Sequence, residues 1–234
     1  MLVAGCNDNR AGSEKIEEPA SYIVVLAYGS LIQQPVNPTN NIRLAISGSW
    51  LPFPITLPVS LTRLSSQNRP TERATRVIDS LFGTHVSPWY AASKFSTLLE
   101  AMENLAGREG APRINNSYKL DNIFYMRKLG KNEALEPNEQ TIPDAEGFVM
   151  KAAGQVRQKL PDETLSDLAH WAKKNGSKAI VWASFPPNRS SDEIKARLKQ
   201  KPDTLKNTKA YINNLPPEMK RTPFELEILE MPGP

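Results

Sequence analysis

Apolar and polar residues become organised at about Ser21, where Tyr22-Ile23-Val24-Val25-Leu26-Ala27-Tyr28 is β-branched and apolar on both faces and is bounded by Gly29-Ser30. Such a run predicts a buried strand that ends in a tight loop. Ile42, Leu44 and Ile46 alternate with Arg43, Ala45 and Ser47 ahead of Gly48, the pattern of a half-buried strand closed by a turn. Pro52, Pro54 and Pro58 favour extended chain and lead into a strand over 59–64, with short strands at 76–81 and 85–86.

The period then changes. Phe95, Leu98, Leu99, Met102 and Leu105 recur at three- and four-residue steps, which predicts a helix with Glu100 and Glu103 on its solvent face and Gly107 as the residue that stops it. Residues 123–126 read as a strand, and 128–144, polar with Pro137 and Pro143, as a long surface loop. A second helix is expected over 162–174, with Leu165, Leu168, Ala169 and Ala172 inward and Asn175-Gly176 closing it. After it come a buried strand at 179–183, helices at 192–199 and 204–213, and a last strand at 224–229. No linker or internal repeat divides the pattern, so one α+β domain is predicted over 21–230, with a leader or tether at 1–20 and a tail at 231–234.

Composition narrows the function classes. With 39% apolar and 23% charged residues, the 234-residue chain is of ordinary globular type, and about 70% of its surface can be buried on folding. No apolar run approaches the ~18 residues of a membrane span. The net charge of +4 comes from 29 basic and 25 acidic residues spread along the chain, and Arg63, Arg69, Arg73 and Arg76 are the nearest thing to a cluster; a solvated face, not a nucleic-acid surface, is expected. One cysteine, Cys6, and two histidines, His85 and His170, give a poor ligand set, so no metal site is predicted. Leu2-Val3-Ala4-Gly5-Cys6 has the small-residue spacing of a bacterial lipoprotein box, but only four residues, Met1 to Ala4, precede that Gly-Cys pair. The chain as it stands reads as cytoplasmic; a start upstream of Met1 would make Cys6 a lipid anchor and 7–19 a tether.

Three stretches carry a resemblance. Tyr28-Gly29-Ser30-Leu31-Ile32 follows the first strand; Leu57-Pro58-Val59-Ser60-Leu61-Thr62-Arg63-Leu64-Ser65 precedes Arg73-Ala74-Thr75-Arg76-Val77-Ile78; and Glu103-Asn104-Leu105-Ala106-Gly107-Arg108-Glu109-Gly110 closes the first long helix. In this order they resemble the γ-glutamylcyclotransferase-like superfamily, and Ile180-Val181-Trp182-Ala183-Ser184-Phe185-Pro186-Pro187 with Ala210-Tyr211-Ile212 and Arg221-Thr222-Pro223 resembles the tail of a bacterial branch of it. The resemblance implies a small mixed β-barrel flanked by helices and a cofactor-free enzyme. In its reaction the substrate's α-amine attacks its own γ-glutamyl carbonyl, releasing 5-oxoproline and an amine. Such chemistry requires a folded substrate, a proton shuttle and a cradle for the oxyanion.

Carried over residue by residue, the resemblance makes Glu109 the general acid/base and Tyr28, Gly29, Ser30 and Leu31 the substrate-binding loop. Arg63, on an otherwise apolar strand, is a candidate clamp for a substrate carboxylate. Efficient shuttling asks for burial that lifts Glu109 toward neutrality, so Arg108 is expected to point elsewhere. Trp89, Tyr90 and Trp182 are candidates for the cavity wall. Ser30 has no evident His and Asp partners for a hydrolytic triad, and His85 fits a capped strand end better than a base. Leu31 stands where better-known members commonly carry Asn-Leu, and 128–144 matches no family pattern, so the leaving amine is left open. The alternative is a non-catalytic binding or partner-interaction module on the same fold; an amidase or transferase with an external nucleophile would use the same pocket.

Overall fold

Strand β1 (Tyr22–Ala27) lies at the middle of the molecule, parallel to β12 (Ser177–Ala183) on one side and antiparallel to β6 (Trp89–Ser93) on the other. In this computed structural model, which describes residues 21–33, 36–37, 40–65, 71–151 and 155–233, they belong to a seven-stranded sheet. Beyond β6 lies β2 (Ile46–Pro52); beyond β12 lie β9 (Ile123–Lys128), β11 (Phe148–Lys151) and β10 (Glu139–Thr141). Only the β1–β12 pairing is parallel, so the sheet is mixed but mostly antiparallel.

Both faces of the central strands are apolar because both are covered. Ile23, Val25, Val181 and Ala183 pack with Met102, Leu105 and Ala106 of α2 (Leu98–Arg108). On the opposite face Val24, Leu26, Ile180 and Trp182 pack with Leu165, Leu168 and Ala172 of α3 (Asp162–Lys174). A smaller sheet, β3 (Leu57–Ser65) between β4 (Arg73–Ile78) and β5 (Thr84–Val86), carries a third cluster under α4 (Ser191–Gln200), α5 (Pro202–Asn213) and α6 (Pro223–Glu230). A short α1 (Ser30–Gln33) follows β1, and β7 (Arg113–Ile114) pairs with β8 (Ser117–Tyr118) after α2. The α+β class is as expected.

The expected barrel is not. Among the described residues the large sheet runs from a β10 edge to a β2 edge without closing. Several elements also depart from expectation. Of the strand expected at 42–47, only Ile46 and Ser47 belong to one; Arg43 makes a single bridge to Val36, and the Asn104 side chain takes the ladder groups between them, its amide donating to the Arg43 carbonyl at 3.0 Å and its carbonyl accepting from Ala45 N–H at 2.8 Å. β2 begins later and runs through Gly48, and β4 begins and ends three residues earlier than the pattern suggested. β6 lies outside every strand that the pattern predicts. Phe95 precedes α2, and Leu99 is exposed instead of joining its apolar stripe.

Gly107 does not stop α2. A Cβ there would stand 2.9 Å from the Tyr118 ring, so its small size permits close packing, while Gly110, at φ +78°, provides the left-handed exit. Within the expected loop at 128–144, β10 is pinned by Glu139, which accepts from Arg127 Nε at 2.6 Å and Nη2 at 2.8 Å. The strand expected at 224–229 is α6: Thr222 and Glu225 form a reciprocal capping box, and Pro223 sits in the first turn. The expectations about the leader, Cys6 included, fall outside the described residues. Among those residues no helix is long and apolar enough to cross a membrane.

Candidate active site

Where β1 ends, the chain is held by contacts distant in sequence. The Tyr28 phenol donates to the Ala183 carbonyl at the end of β12, and the Tyr28 carbonyl accepts from Arg76 Nη1 at 3.4 Å. Gly29 follows, and the Tyr211 hydroxyl of α5 occupies the place of a side chain there, 2.7 Å from where a Cβ would stand. Tyr211 is itself fixed, accepting the Arg76 main-chain N–H at 3.3 Å. Ser30 opens α1; its side chain lies outside the described part of the structure. Among the described residues no acceptor takes the N–H of Gly29, Ser30 or Leu31, donors that precede or open a helix and so have no intrahelical partner.

Glu109 caps the C-terminus of α2. The end of that helix is held by two asparagines, Asn37 donating to the Arg108 carbonyl at 2.7 Å and Asn40 to the Gly107 carbonyl at 2.8 Å. The Glu109 side chain keeps 15% of its area exposed, and burial pushes its carboxyl above the ordinary glutamate range against the opposing charges of Arg108 and Arg63. Arg108 does not point elsewhere: its Nη1 lies 2.8 Å from Glu109 Oε1. Burial outweighs that pairing because both groups lie largely out of water, where losing hydration costs an ion as much as a neighbouring charge returns.

Two neighbouring cavities share Glu109, Arg76 and Phe185 in their walls. The smaller, about 40 Å³, is lined by Tyr28, Gly29, Leu31 and Ala183 besides those three. The larger, about 300 Å³, has Arg63, Ser65, Arg73, Thr75 and Tyr211 on its walls. Glu109 thus shares one cavity with Tyr28, Gly29 and Leu31 and the neighbouring one with Arg63. Arg63 lies with its guanidinium 4.9 Å from the Phe185 ring centre and donates to the Pro186 carbonyl at 2.9 Å.

The expected aromatic wall belongs to the core. Trp182 is fully buried and stacks with Phe124 at 6.3 Å, Tyr90 packs edge-on to Phe53 and Trp171, and Trp89 lies against the third cluster. Tyr28, Phe185 and Tyr211 line the cavities instead. His85 is exposed beside Thr56, remote from them. Among the described residues no group of three or more His, Cys, Asp or Glu side chains is placed to hold a metal ion.

Sequence reasoning did not assign Arg73, Arg76, Tyr211 or Glu225 to the site. Arg76 and Glu225 form a fully buried ion pair, with Nε and Nη2 both 2.6 Å from the carboxylate oxygens, and Nη2 also reaches the Lys220 carbonyl at 2.8 Å. One guanidinium thus joins β4, α6 and the loop after β1. The legible signal was period two: Arg63 and Ser65 stand opposite Thr75 and Arg73, so polar side chains of both strands share one face of the hairpin. No protein-family model, no curated protein and no solved structure matches this chain.

Proposed function

We propose that the protein is a γ-glutamylcyclotransferase-like enzyme that converts a γ-glutamyl amide to 5-oxoproline and an amine. The observation that carries the reading is Glu109: a carboxyl raised by burial, on the wall of the same space as the Tyr28–Leu31 turn. In this reading the substrate's own carboxylate or carbonyl oxygen takes the main-chain N–H groups of that turn, which precede or open α1 and so have no intrahelical acceptor. Glu109 accepts a proton from the α-ammonium, the freed amine attacks the γ-carbonyl carbon, and a tetrahedral oxyanion forms. The carbon–nitrogen bond to the leaving amine then breaks as Glu109 returns the proton to that nitrogen, and the ring nitrogen gives its remaining extra proton through Glu109 to the freed amine, which departs as an ammonium. Ring closure within one molecule needs little beyond this, since the reacting atoms are already tethered.

Incubation with γ-glutamyl amides and detection of 5-oxoproline by mass spectrometry tests the proposal. Glu109→Gln is expected to lower kcat about 10²- to 10⁴-fold with the fold intact. Because Glu109 must be ionised to accept the proton and burial raises its pKa, wild-type kcat/KM should fall as the pH drops through a value above the ordinary glutamate range. Equal activity in both proteins would remove the assignment. The Arg108–Glu109 contact favours a second reading, a binding module whose carboxylate is only an ion-pair partner. Tight binding of γ-glutamyl compounds without 5-oxoproline formation would select it.

A further inference from the structure

We propose that Arg76 and Glu225 are positioning residues for the proposed reaction: their buried ion pair fixes the direction in which the Gly29 N–H points, so that α6 serves a site it does not line. This rests on the cyclotransferase reading in one respect, that the turn after β1 receives the substrate's negative oxygen. Glu225 is fully buried and is absent from the walls of both cavities. It can act on that oxygen only through another group, and Arg76 is the group it holds.

The chain of contacts is short. Glu225 accepts from Arg76 Nε and Nη2, both at 2.6 Å, and Nη2 also donates to the Lys220 carbonyl at 2.8 Å. A rigid planar fork held at two of its nitrogens has its third aimed as well, and that nitrogen, Nη1, donates to the Tyr28 carbonyl at 3.4 Å. The Tyr28 carbonyl and the Gly29 N–H lie on opposite edges of one planar trans peptide, so an arm on the first sets where the second points. A charged donor on the carbonyl also polarises the peptide and makes its N–H the stronger donor. The strand side of this peptide is already fixed, since the Tyr28 phenol donates to the Ala183 carbonyl. On the other side stands glycine, the residue at which a peptide plane turns most easily, and there Arg76 acts a second time: its main-chain N–H donates at 3.3 Å to the Tyr211 hydroxyl that fills the place beside Gly29. A buried ion pair gains little over apolar side chains of the same volume, but it does fix a direction, and here the direction leads to the turn.

Three variants of the full chain separate positioning from a merely structural role. Glu225→Gln keeps the shape and unpins the fork without touching either cavity; Arg76→Lys keeps a cation opposite Glu225 and removes the arm on Tyr28. Ile228→Ala removes buried apolar surface from α6, leaves the pair intact, and is the control for lost stability. The readouts are kcat and KM with γ-glutamylglycine, and the Gly29 amide resonance in proton–nitrogen correlation spectra. Glu225→Gln and Arg76→Lys should each lower kcat/KM at least about tenfold and split or broaden the Gly29 resonance, as a peptide sampling more than one direction must; Ile228→Ala should do neither. The loss falls on kcat where the N–H serves the oxyanion, and on KM where it serves the substrate carboxylate. Should Glu225→Gln fail to fold, Arg76→Lys carries the test through the Gly29 signal. If the wild type turns over and both variants match Ile228→Ala in kcat/KM, the positioning role is overturned and the cyclotransferase reading stands. If nothing turns over, but the Gly29 resonance splits in Arg76→Lys and calorimetry shows γ-glutamylglycine bound at least about tenfold more weakly than by the wild type, the positioning role stands and the cyclotransferase reading falls. A Gly29 resonance unchanged in both variants overturns the positioning role whatever the turnover, and a wild type that neither turns over nor binds overturns both readings.

Discussion

Gly29 and Tyr211 behave as one fitted pair. A methyl group at 29 would meet the Tyr211 hydroxyl at 2.7 Å, and that hydroxyl cannot swing away freely because it accepts the Arg76 N–H. Gly29→Ala is therefore expected to cost about 1–3 kcal/mol, the usual range for overpacking a closed interior. Tyr211→Phe removes the offending oxygen at the price of one hydrogen bond, about 1 kcal/mol. The double variant should be more stable than the sum of the single losses by at least about 1 kcal/mol, measured by urea denaturation as a double-mutant cycle. Strict additivity would show that the turn moves instead of clashing. The contrast with Gly110 is instructive: that glycine is required by its positive φ, whereas Gly29 is required by its neighbour.

At the scale of elements, α6 is where local chemistry overrides periodicity. Phe224, Leu226 and Ile228 alternate with Glu225 and Glu227, which predicts a strand, yet the Thr222–Glu225 capping box and Pro223 start a helix, and Leu226 is left half exposed as a period-two pattern wound on a helix must leave it. Thr222→Ala should cost about 1 kcal/mol, the typical loss of a helix cap. Glu225→Gln should cost more, about 3–5 kcal/mol, since it strands the buried Arg76 guanidinium as well as altering the box. Thermal denaturation of the two variants checks the order; a larger loss for Thr222→Ala would show that the ion pair contributes little. Elements whose period agrees with their caps, such as β1, α3 and β12, were legible from their residues alone. Glu109 and the loop after β1 were legible too, through motif order. Tyr211 and Glu225 were not, because their roles depend on contacts with Gly29 and Arg76 more than a hundred residues away in the chain.

Across the whole molecule, the cavities lie between the two sheets. The large sheet contributes the ends of β1 and β12, α2 contributes Glu109, and the small sheet contributes Arg63 on β3 and Arg73 and Arg76 on β4. Polar ties across this seam include Arg76 to the Tyr28 carbonyl, Arg63 to the Pro186 carbonyl just after β12, and Asn188 to the Leu64 main chain. Apolar contact crosses the seam as well: Leu57 and Val59 of β3, Ile78 of β4 and Val86 of β5 share one cluster with Val24 and Leu26 of β1, while another cluster lies under α4, α5 and α6. A ligand that touches both walls is a further tie, and it binds only the assembled state. At a hundred times its dissociation constant it should add about 2.7 kcal/mol of stability. Hydrogen exchange gives that stabilisation an address: with γ-glutamylglycine bound to Glu109→Gln, added protection should fall on 28–32, 63–65 and 73–77 together, because the ligand closes one seam. Protection confined to the loop after β1 would mean that the ligand reaches only the smaller cavity, and that the small sheet takes no part in holding it.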